Sequence, residues 1–280
     1  MRVTVTILVE NTTPDSRLVG EYGFAAMVQV EDYRFLFDTG SKDALFVNAK
    51  RMGVDLDSLD DIVISHGHFD HTGGLEALLK MRGRRRVIIH PDAWLPKFVA
   101  GLPGSDEPRF IGMRVTREEV ARLGSTIVQN SSAYELRPGV LVSGAIPRTN
   151  SYEDTGGQFL RRRNEADDYE TDLLLDDQAV IIDHPEGLVV VSGCAHSGLI
   201  NTLEYAQKLT GCSRIQAFIG GTHLMSAGEE RLEKTFRALE SYDIQRLVVA
   251  HCTGFYAAAR LYGHFGNKVK KGETGFHFKI

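Results

Sequence analysis

The chain has 280 residues, 42% of them hydrophobic, which is enough to bury the core of one α/β domain with insertions. Its net charge of −5 argues against a nucleic-acid partner or a membrane surface. No apolar run approaches the roughly 18 residues of a membrane span, and residues 1–7 alternate like a strand rather than a signal-peptide core. Three cysteines without a Cys-x-x-Cys pair indicate reduced thiols, so we expect a cytoplasmic protein.

Strand and helix patterns alternate in the first part of the chain. Residues 3–9 and 25–30 show the composition and alternation of strands, and 34–38 continues the second of these as a hairpin. Apolar positions with helical spacing follow over 43–52. Asp38 closes an apolar strand, where a carboxylate can be buried only with hydrogen-bond donors around it. We expect those donors to be backbone N–H groups of the histidine-rich segment that follows.

Residues 64–75 carry the strongest chemical signal, Ile-Ser-His-Gly-His-Phe-Asp-His-Thr-Gly-Gly-Leu. A strand-like run at 62–64 leads in and a helix-like run over 74–81 leads out, so a turn at a strand end aims several side chains at one point. Imidazole nitrogens and carboxylates are ligands that suit zinc, iron or manganese. The spacing His-x-His-x-Asp-His therefore predicts a metal site. Its first four candidate ligands are His66, His68, Asp70 and His71.

Two irregular stretches interrupt the regular pattern, at about 92–125 and 144–172. Within the first, a short helix is predicted over 116–123, because a threonine and a glutamate there have the spacing of a capping box. The second is nearly bare of aliphatic residues and mixes arginines, among them Arg148, with several acids. Two interpretations stay open for it: a solvated loop, or a lid whose arginines bind an anionic substrate.

From residue 173 the pattern becomes regular again. Strands are predicted over 179–183 and 188–192, and three strand–loop–helix units follow with helices over 199–209, 229–242 and 256–265. Each unit places one histidine in the loop after its strand: His196, His223 and His251. Because α/β folds build their sites on loops at the carboxyl ends of strands, these histidines are candidates for one shared site.

These motifs resemble those of the metallo-β-lactamase superfamily. The resemblance is carried by the His-x-His-x-Asp-His segment, by Phe-Leu-Phe-Asp-Thr-Gly at 35–40, and by the segments 192–196, 220–223 and 250–254. Together with Gly-Ala-Ile-Pro-Arg at 144–148, they are similar to one branch. That branch is named for the 7,8-dihydropterin-6-methyl-4-(β-D-ribofuranosyl)-aminobenzene-5′-phosphate synthase of methanopterin biosynthesis.

The resemblance implies a fold and a ligand set. The fold is a single α/β domain over residues 1–280, an αββα sandwich of two facing mixed β-sheets with helices on the outer faces. The first metal would be bound by His66, His68 and His196, and the second by Asp70, His71 and His251. Asp38 would lie behind the ligands and orient the loop that carries them. Zinc is the expected metal, as one or two ions, with iron or manganese as alternatives.

One position departs from the superfamily's pattern. A bridging aspartate normally sits in a Gly-Asp motif, but the two candidate slots read Gly193-Cys194 and Gly220-Gly221. Such a carboxylate holds two cations roughly 3.5–4 Å apart, so the second site should be weaker without it. Cys194 is expected beside the ligands or among them, and His223 is either a ligand or a catalytic group.

The expected activity is metal-dependent hydrolysis. A bound metal lowers the pKa of its water, and the resulting hydroxide would attack an ester or phosphoester with Asp70 and His223 as catalytic groups. The expected substrate is a small anionic molecule contacted by Arg148; no nucleic-acid or membrane partner is expected, and a homo-oligomer is left open. Two alternatives remain. One is a transferase that condenses a pterin-methyl diphosphate with an aminobenzene ribofuranosyl phosphate, and the other is a metal-stabilised binding protein without turnover.

Overall fold

The chain folds into two β-sheets that face each other. The computed structural model describes residues 1–82, 84–101, 107–162 and 168–280. With strands numbered along the chain, the first sheet in these ranges consists of β1 (Val3–Val9), β2 (Ala25–Val30), β3 (Tyr33–Phe37), β4 (Asp61–Val63), β5 (Arg86–Ile89), β8 (Thr126–Gln129) and β18 (His277–Lys279). Their order is β18-β1-β2-β3-β4-β5-β8, and the run from β3 to β8 is parallel.

The second sheet has the same number of strands within the described residues. They are β9 (Tyr134–Arg137), β10 (Val140–Val142), β13 (Ala179–Ile182), β14 (Leu188–Ser192), β15 (Ile215–Gly221), β16 (Leu247–Ala250) and β17 (Val269–Lys271). Their order is β17-β16-β15-β14-β13-β10-β9, and the run from β14 to β17 is parallel. Both sheets are therefore mixed, and each ends several parallel strands at one edge.

Helices cover the outer face of each sheet. They are α1 (Ala44–Met52), α2 (Phe69–Thr72), α3 (Leu75–Met81), α4 (Arg117–Arg122), α5 (Leu199–Thr210), α6 (Glu229–Glu240) and α7 (Phe255–Phe265). The buried core between the sheets includes Val5 and Phe35 of the first sheet and Val191 of the second. A second core joins the first sheet to α1 and α3, and a third joins the second sheet to α5, α6 and α7. These four layers confirm the predicted αββα sandwich.

The two irregular stretches pair with each other in a small third sheet. Its strands, in spatial order, are β12 (Tyr169–Thr171), β11 (Phe159–Arg162), β6 (Lys97–Val99) and β7 (Arg109–Phe110). The stretch at 144–172 thus contributes two strands instead of only the solvated loop that its composition favours. Residues 102–106 and 163–167 lie outside the described residues.

Two local predictions can be compared directly with the structure. The capping box of α4 is confirmed, since Thr116 and Glu119 bond each other's backbone N–H. In the part of the chain that is described, none of the helices combines the length and apolar composition needed to cross a bilayer.

Candidate metal centre

The predicted ligands lie on loops at the carboxyl ends of strands from both sheets. The four ligands of the first motif follow β4, whereas the three later histidines follow β14, β15 and β16. The chain turns sharply at this edge through left-handed backbone: φ is 58° at Asp38, 52° at Ala195, 47° at His223 and 49° at His251. Such conformations at non-glycine residues cost on the order of 1–3 kcal/mol each and cluster at functional sites.

Three buried histidines form a first triad: His66, His68 and His196. Their potential ligand atoms all lie within 4.8 Å of one another, and Nε2 of His66 lies 3.0 Å from Nδ1 of His68. Two nitrogen ligands of one tetrahedral zinc lie roughly 3.3 Å apart, given zinc–nitrogen distances of about 2.0–2.1 Å. His66 and His68 therefore have about the spacing of two ligands of one ion, and His196 lies close enough to be the third.

The first triad is held in the neutral form that binds metals. Burial, followed by repulsion from neighbouring histidines, places the pKa of His66 and of His196 well below the ordinary value. Burial also lowers the pKa of His68 to about 3. Because a protonated imidazole cannot coordinate a metal, these three rings are competent ligands at neutral pH.

Asp70, His71 and His251 form a second triad with the same spread of ligand atoms. Oδ2 of Asp70 lies 3.2 Å from Nε2 of His251 and 3.8 Å from Nε2 of His71. Burial opposes ionisation of Asp70, but His71 and His251 outweigh it and hold the pKa of this carboxyl well below its usual range. Burial likewise disfavours the charged form of His71, yet the carboxylates of Asp38 and Asp70 raise its pKa to about 9. A cation that binds Nε2 of His71 displaces that proton.

Four of these histidines share one orientation, with an oxygen beside Nδ1 of the ring. The pairs are His66 with Oγ of Ser65 (2.9 Å), His71 with Oδ2 of Asp38 (2.7 Å), His196 with the carbonyl of Thr155 (2.8 Å) and His251 with Oδ1 of Asn11 (2.9 Å). The hydroxyl of Ser65 donates to Asp38, so its oxygen accepts from His66. Since each oxygen accepts the Nδ1 proton, Nε2 is the atom of each ring that is left to bind a metal, at His71 after loss of its second proton.

Two of those Nε2 atoms have no partner. Nε2 of His196 and Nε2 of His251 are buried and make no hydrogen bond within the described ranges. Buried polar atoms are nearly always paired, so two orphaned acceptors beside an ionised carboxylate call for a bound cation. Neutral imidazoles with one carboxylate suit zinc, iron or manganese. The residues present therefore fit the metal that the sequence predicts.

Asp38 lies directly behind this cluster and is fully buried. Its Oδ1 accepts the backbone N–H of Ser65 at 2.7 Å, and its Oδ2 accepts the hydroxyl of Ser65 and Nδ1 of His71, both at 2.7 Å. One carboxylate thus orients a ligand from each triad, His71 directly and His66 through Ser65.

Asp38→Asn should lower zinc affinity by about 10–100-fold, because an amide cannot accept all three of these hydrogen bonds. The same change should lower the free energy of unfolding by about 1–3 kcal/mol. Zinc titration calorimetry and thermal melting measure the two effects, with Asp43→Asn, an exposed carboxylate before α1, as the matched control. Zinc affinity equal in both variants would refute the orienting role.

Cys194 and His223 lie beside the triads. Cys194 is 2% exposed, and its Sγ lies 3.2 Å from Nε2 of His71. The ring centre of His223 lies 4.2 Å from that of His196, and its buried Nδ1 has no partner among the described residues. Gly156 makes this packing possible, since a β-carbon there would lie 1.8 Å from the ring of His223.

The arginines of the second irregular stretch have protein partners. Arg148 donates to the carbonyls of His196 at 2.9 Å and Leu173 at 2.8 Å, so it supports the loop of a candidate ligand. Arg161 forms an ion pair with Glu170 at 2.7 Å, and Arg162 donates to the hydroxyl of Tyr169 at 3.2 Å. Arg163 lies outside the described residues. Substrate binding by Arg148 stays a prediction.

Several contacts of the site have no counterpart in the sequence analysis. Nζ of the buried Lys97 lies 2.9 Å from Asp172 and 2.8 Å from Asp176, and Asp176 also accepts the N–H of Gly67 between the two first ligands. The ring of Phe159, at the start of β11, lies over three site histidines at centre distances of 5.1, 5.0 and 5.8 Å. The third sheet therefore contacts the metal loop directly.

Comparison with known proteins settles the family. The sequence profile described as the metallo-beta-lactamase superfamily matches residues 18–251, which include every member of both triads. The chain belongs to the metallo-beta-lactamase superfamily. Within it, the chain is 28% identical over 258 residues to 7,8-dihydropterin-6-methyl-4-(beta-D-ribofuranosyl)-aminobenzene-5'-phosphate synthase of Methanocaldococcus jannaschii, covering 85% of this chain and 82% of that protein.

Two further relatives of this metallo-beta-lactamase-fold chain cover nearly its whole length. An uncharacterized protein of the same archaeon is 30% identical over 273 residues, 94% of this chain and 98% of that one. The crystal structure of Tm1679, described as a metal-dependent hydrolase of the beta-lactamase superfamily, superposes with a TM-score of 0.85 at 26% identity over 99% of both chains. The predicted superfamily and branch are confirmed.

Proposed function

We propose that this protein is a metal-dependent hydrolase of a small organic phosphoester or ester. The observation that carries the proposal is the pair of buried triads, whose ring nitrogens and Asp70 carboxylate converge at the strand ends. A divalent ion bound there would lower the pKa of a coordinated water and withdraw electrons from an ester oxygen.

The chain's own residues supply the proton transfers. Asp70 stays ionised next to His71 and His251, so its carboxylate can accept a hydrogen bond from an attacking water. His223 belongs to neither triad but lies with Cys194 and Cys252 in a further group of potential ligand atoms. Its Nδ1 has no hydrogen-bond partner among the described residues, so we assign to it the contact with a leaving-group oxygen. Phe159 covers His68, His196 and His223, and this apolar cover excludes bulk water from the reacting groups.

A cationic notch beside the metal loop supports a phosphate-bearing substrate. The notch is a cavity of about 180 Å³ lined by Phe69, Arg109, Phe110, Gly112 and Arg114. Phe69 lies between two candidate ligands in sequence, and both arginines are exposed. Neither guanidinium has a hydrogen-bond or ion-pair partner in the described parts of the chain, in contrast to Arg148 and Arg161. We assign phosphate binding to this notch.

Arg109→Gln and Arg114→Gln should each raise KM for a phosphorylated substrate by about 10–100-fold, since a charge-assisted hydrogen bond contributes about 1.5–3 kcal/mol. KM for the dephosphorylated analogue should stay within about twofold in the same variants. Arg161→Gln, which removes an arginine already paired with Glu170, is the matched control. Equal changes in KM for both compounds would remove the notch from substrate binding.

An apolar pocket that His251 of the second triad helps to line indicates an apolar part of the substrate. This cavity of about 550 Å³ is lined by His251, Met225, Phe255 and Tyr262, among others. The side chain of Phe255 is 90% exposed, which is unusual for a phenylalanine next to a candidate metal ligand. A ring or short apolar chain of the substrate would cover it.

The same pocket favours a second candidate function, a transferase that joins two ring-bearing substrates. The relative named as a dihydropterin–aminobenzene phosphate synthase supports this alternative. In this alternative one ring would occupy the apolar pocket and the phosphate would bind in the cationic notch.

One experiment separates the candidates. The zinc-, iron- or manganese-reconstituted protein is incubated in ¹⁸O-labelled water with a panel of phosphoesters, carboxylic esters and a pterin-methyl diphosphate, with and without an aminobenzene ribofuranosyl phosphate. Hydrolysis places the label in a product, whereas transfer forms a coupled product without it. No product from any compound with any metal, in a protein that holds metal, would overturn both proposals in favour of a binding protein.

A further inference from the structure

Cys194 lies where the two triads meet. Its Sγ and the ligand atoms of His66 and His71 all lie within 4.8 Å of one another, so the thiol is grouped with one member of each triad. The closest of these approaches, to Nε2 of His71, is 3.2 Å. His66 and His71 themselves pack with ring centres 4.2 Å apart. A sulfur at this point can reach ions held by either triad.

We infer that the thiolate of Cys194 is a metal ligand that replaces the missing aspartate and bridges ions held by the two triads. This inference rests on the metal centre of the proposed function but not on the reaction that the centre performs.

The distances agree with shared coordination. With zinc–nitrogen bonds of about 2.0–2.1 Å and zinc–sulfur bonds of about 2.3 Å, a nitrogen and a sulfur on one ion lie roughly 3.2–3.6 Å apart. The 3.2 Å between Sγ of Cys194 and Nε2 of His71 lies at the lower end of that range. A thiolate sulfur also has lone pairs to bind a second ion. As each metal–sulfur bond needs the thiolate, the S–H bond breaks and its proton leaves to solvent.

Close packing explains why no aspartate stands at Gly221, the second of the two positions where the superfamily's bridging aspartate could lie. A β-carbon on Gly221 would lie 2.6 Å from Sγ of Cys252, 3.1 Å from the α-carbon of Cys194 and 2.4 Å from the carbonyl oxygen of Gly193. Any side chain at 221 would therefore displace the loop that carries Cys194. The first slot, Gly193-Cys194, remains, and there the cysteine occupies the position of the aspartate.

The charge of the site is an independent reason to expect the Cys194 thiolate as a ligand. The two triads contain five imidazoles, which bind a metal in their neutral form, and one carboxylate, Asp70, which is the sole anion among their six side chains. Two divalent ions bring four positive charges into a buried site, where unpaired charge is strongly unfavourable. A bridging thiolate adds a second anion at the point where the ions approach each other most closely. Cys194 thus supplies the neutralisation that the absent aspartate would provide.

The test uses the full chain reconstituted with cobalt(II), whose thiolate complexes absorb in the near ultraviolet through charge transfer. Wild type should bind about two ions per chain by elemental analysis and show this absorption. Cys194→Ser should lose the absorption and retain about one ion. Cys212→Ser, near the surface, is the matched control, and Cys252→Ser tests the second buried sulfur, which is grouped with Cys194 and His223; both variants should keep the absorption and both ions. Absorption that survives in Cys194→Ser, or that disappears in Cys252→Ser alone, would overturn the inference.

Two further measurements keep the inference testable if Cys194→Ser does not fold. X-ray absorption of the zinc-loaded wild type and of Cys252→Ser should show one sulfur at about 2.3 Å from the metal in both. A shell of nitrogen and oxygen alone would overturn it. Cys194→Asp should restore a bridge and bind about two cobalt ions without the charge-transfer absorption. None of these readouts requires turnover, so absence of a sulfur ligand leaves the hydrolase proposal standing, and failure to find a substrate leaves the ligand assignment standing.

Discussion

His196→Ala should lower kcat/KM by on the order of 10³-fold or more, because the first triad would lose the ligand whose Nε2 has no other partner. Stabilisation by a bound metal contributes several kcal/mol to a hydrolytic transition state, and each 1.36 kcal/mol corresponds to about tenfold in rate. Metal content per chain should fall in parallel with activity. Steady-state kinetics and elemental analysis on the same preparations measure both quantities.

A surface histidine provides the control for this change. His264 is exposed on α7 and pairs with Glu240 at 2.7 Å, so His264→Ala removes an imidazole without touching either triad. Its activity and metal content should equal those of wild type. If His196→Ala kept full activity, the first triad would not be the catalytic centre.

Lys97→Met should lower the free energy of unfolding by about 3–5 kcal/mol and the melting temperature by roughly 10 °C. Lys97 is 1% exposed, and its loss leaves the carboxylates of Asp172 and Asp176 buried without their cation. Differential scanning calorimetry measures the change. Asp172→Asn in the Lys97→Met background should recover part of the loss, because it removes one of the two unpaired charges.

The matched control for Lys97 is Lys80→Met, which breaks an exposed pair with Glu76 within α3. Pairs of this kind contribute only about 0.3–0.5 kcal/mol, so the melting temperature should change by less than about 2 °C. Similar shifts for both lysine variants would show that burial does not strengthen the ion pair at Lys97.

Elements with a strong local pattern could be predicted from the sequence. The helix expected over 199–209 is Leu199–Thr210, and the one expected over 229–242 ends two residues earlier at Glu240. The short strands β8 and β9 and the four strands of the third sheet were not predicted. Strands of two to four residues are too short to show a periodic pattern, and the pairings of β5 with β8 and of β6 with β11 join segments far apart in the chain.

The candidate site divides in the same way. The first four ligands lie within six positions, so their spacing alone indicates a shared site. The groups that orient the ligands show no such spacing in the sequence. Asn11 is 240 positions from His251, and the acceptor for His196 is the backbone carbonyl of Thr155. A carbonyl is present in every residue, so no residue type could reveal it. Lys97 and Asp176 are 79 positions apart, and nothing in the sequence indicates their contact.

The pairing of β6 with β11 also limits which chimeras of this protein can form the small sheet. Leu160 pairs with Phe98, and an isolated bridge joins His68 to Gly112, so the small sheet takes one strand pair from each of two distant insertions. Each insertion forms its own strand pair, and the pairing of β6 with β11 joins the two pairs into one sheet. A chimera that takes one insertion from a relative would pair mismatched strands over the triads. We therefore expect a chimera to keep the small sheet only when both insertions are transferred together.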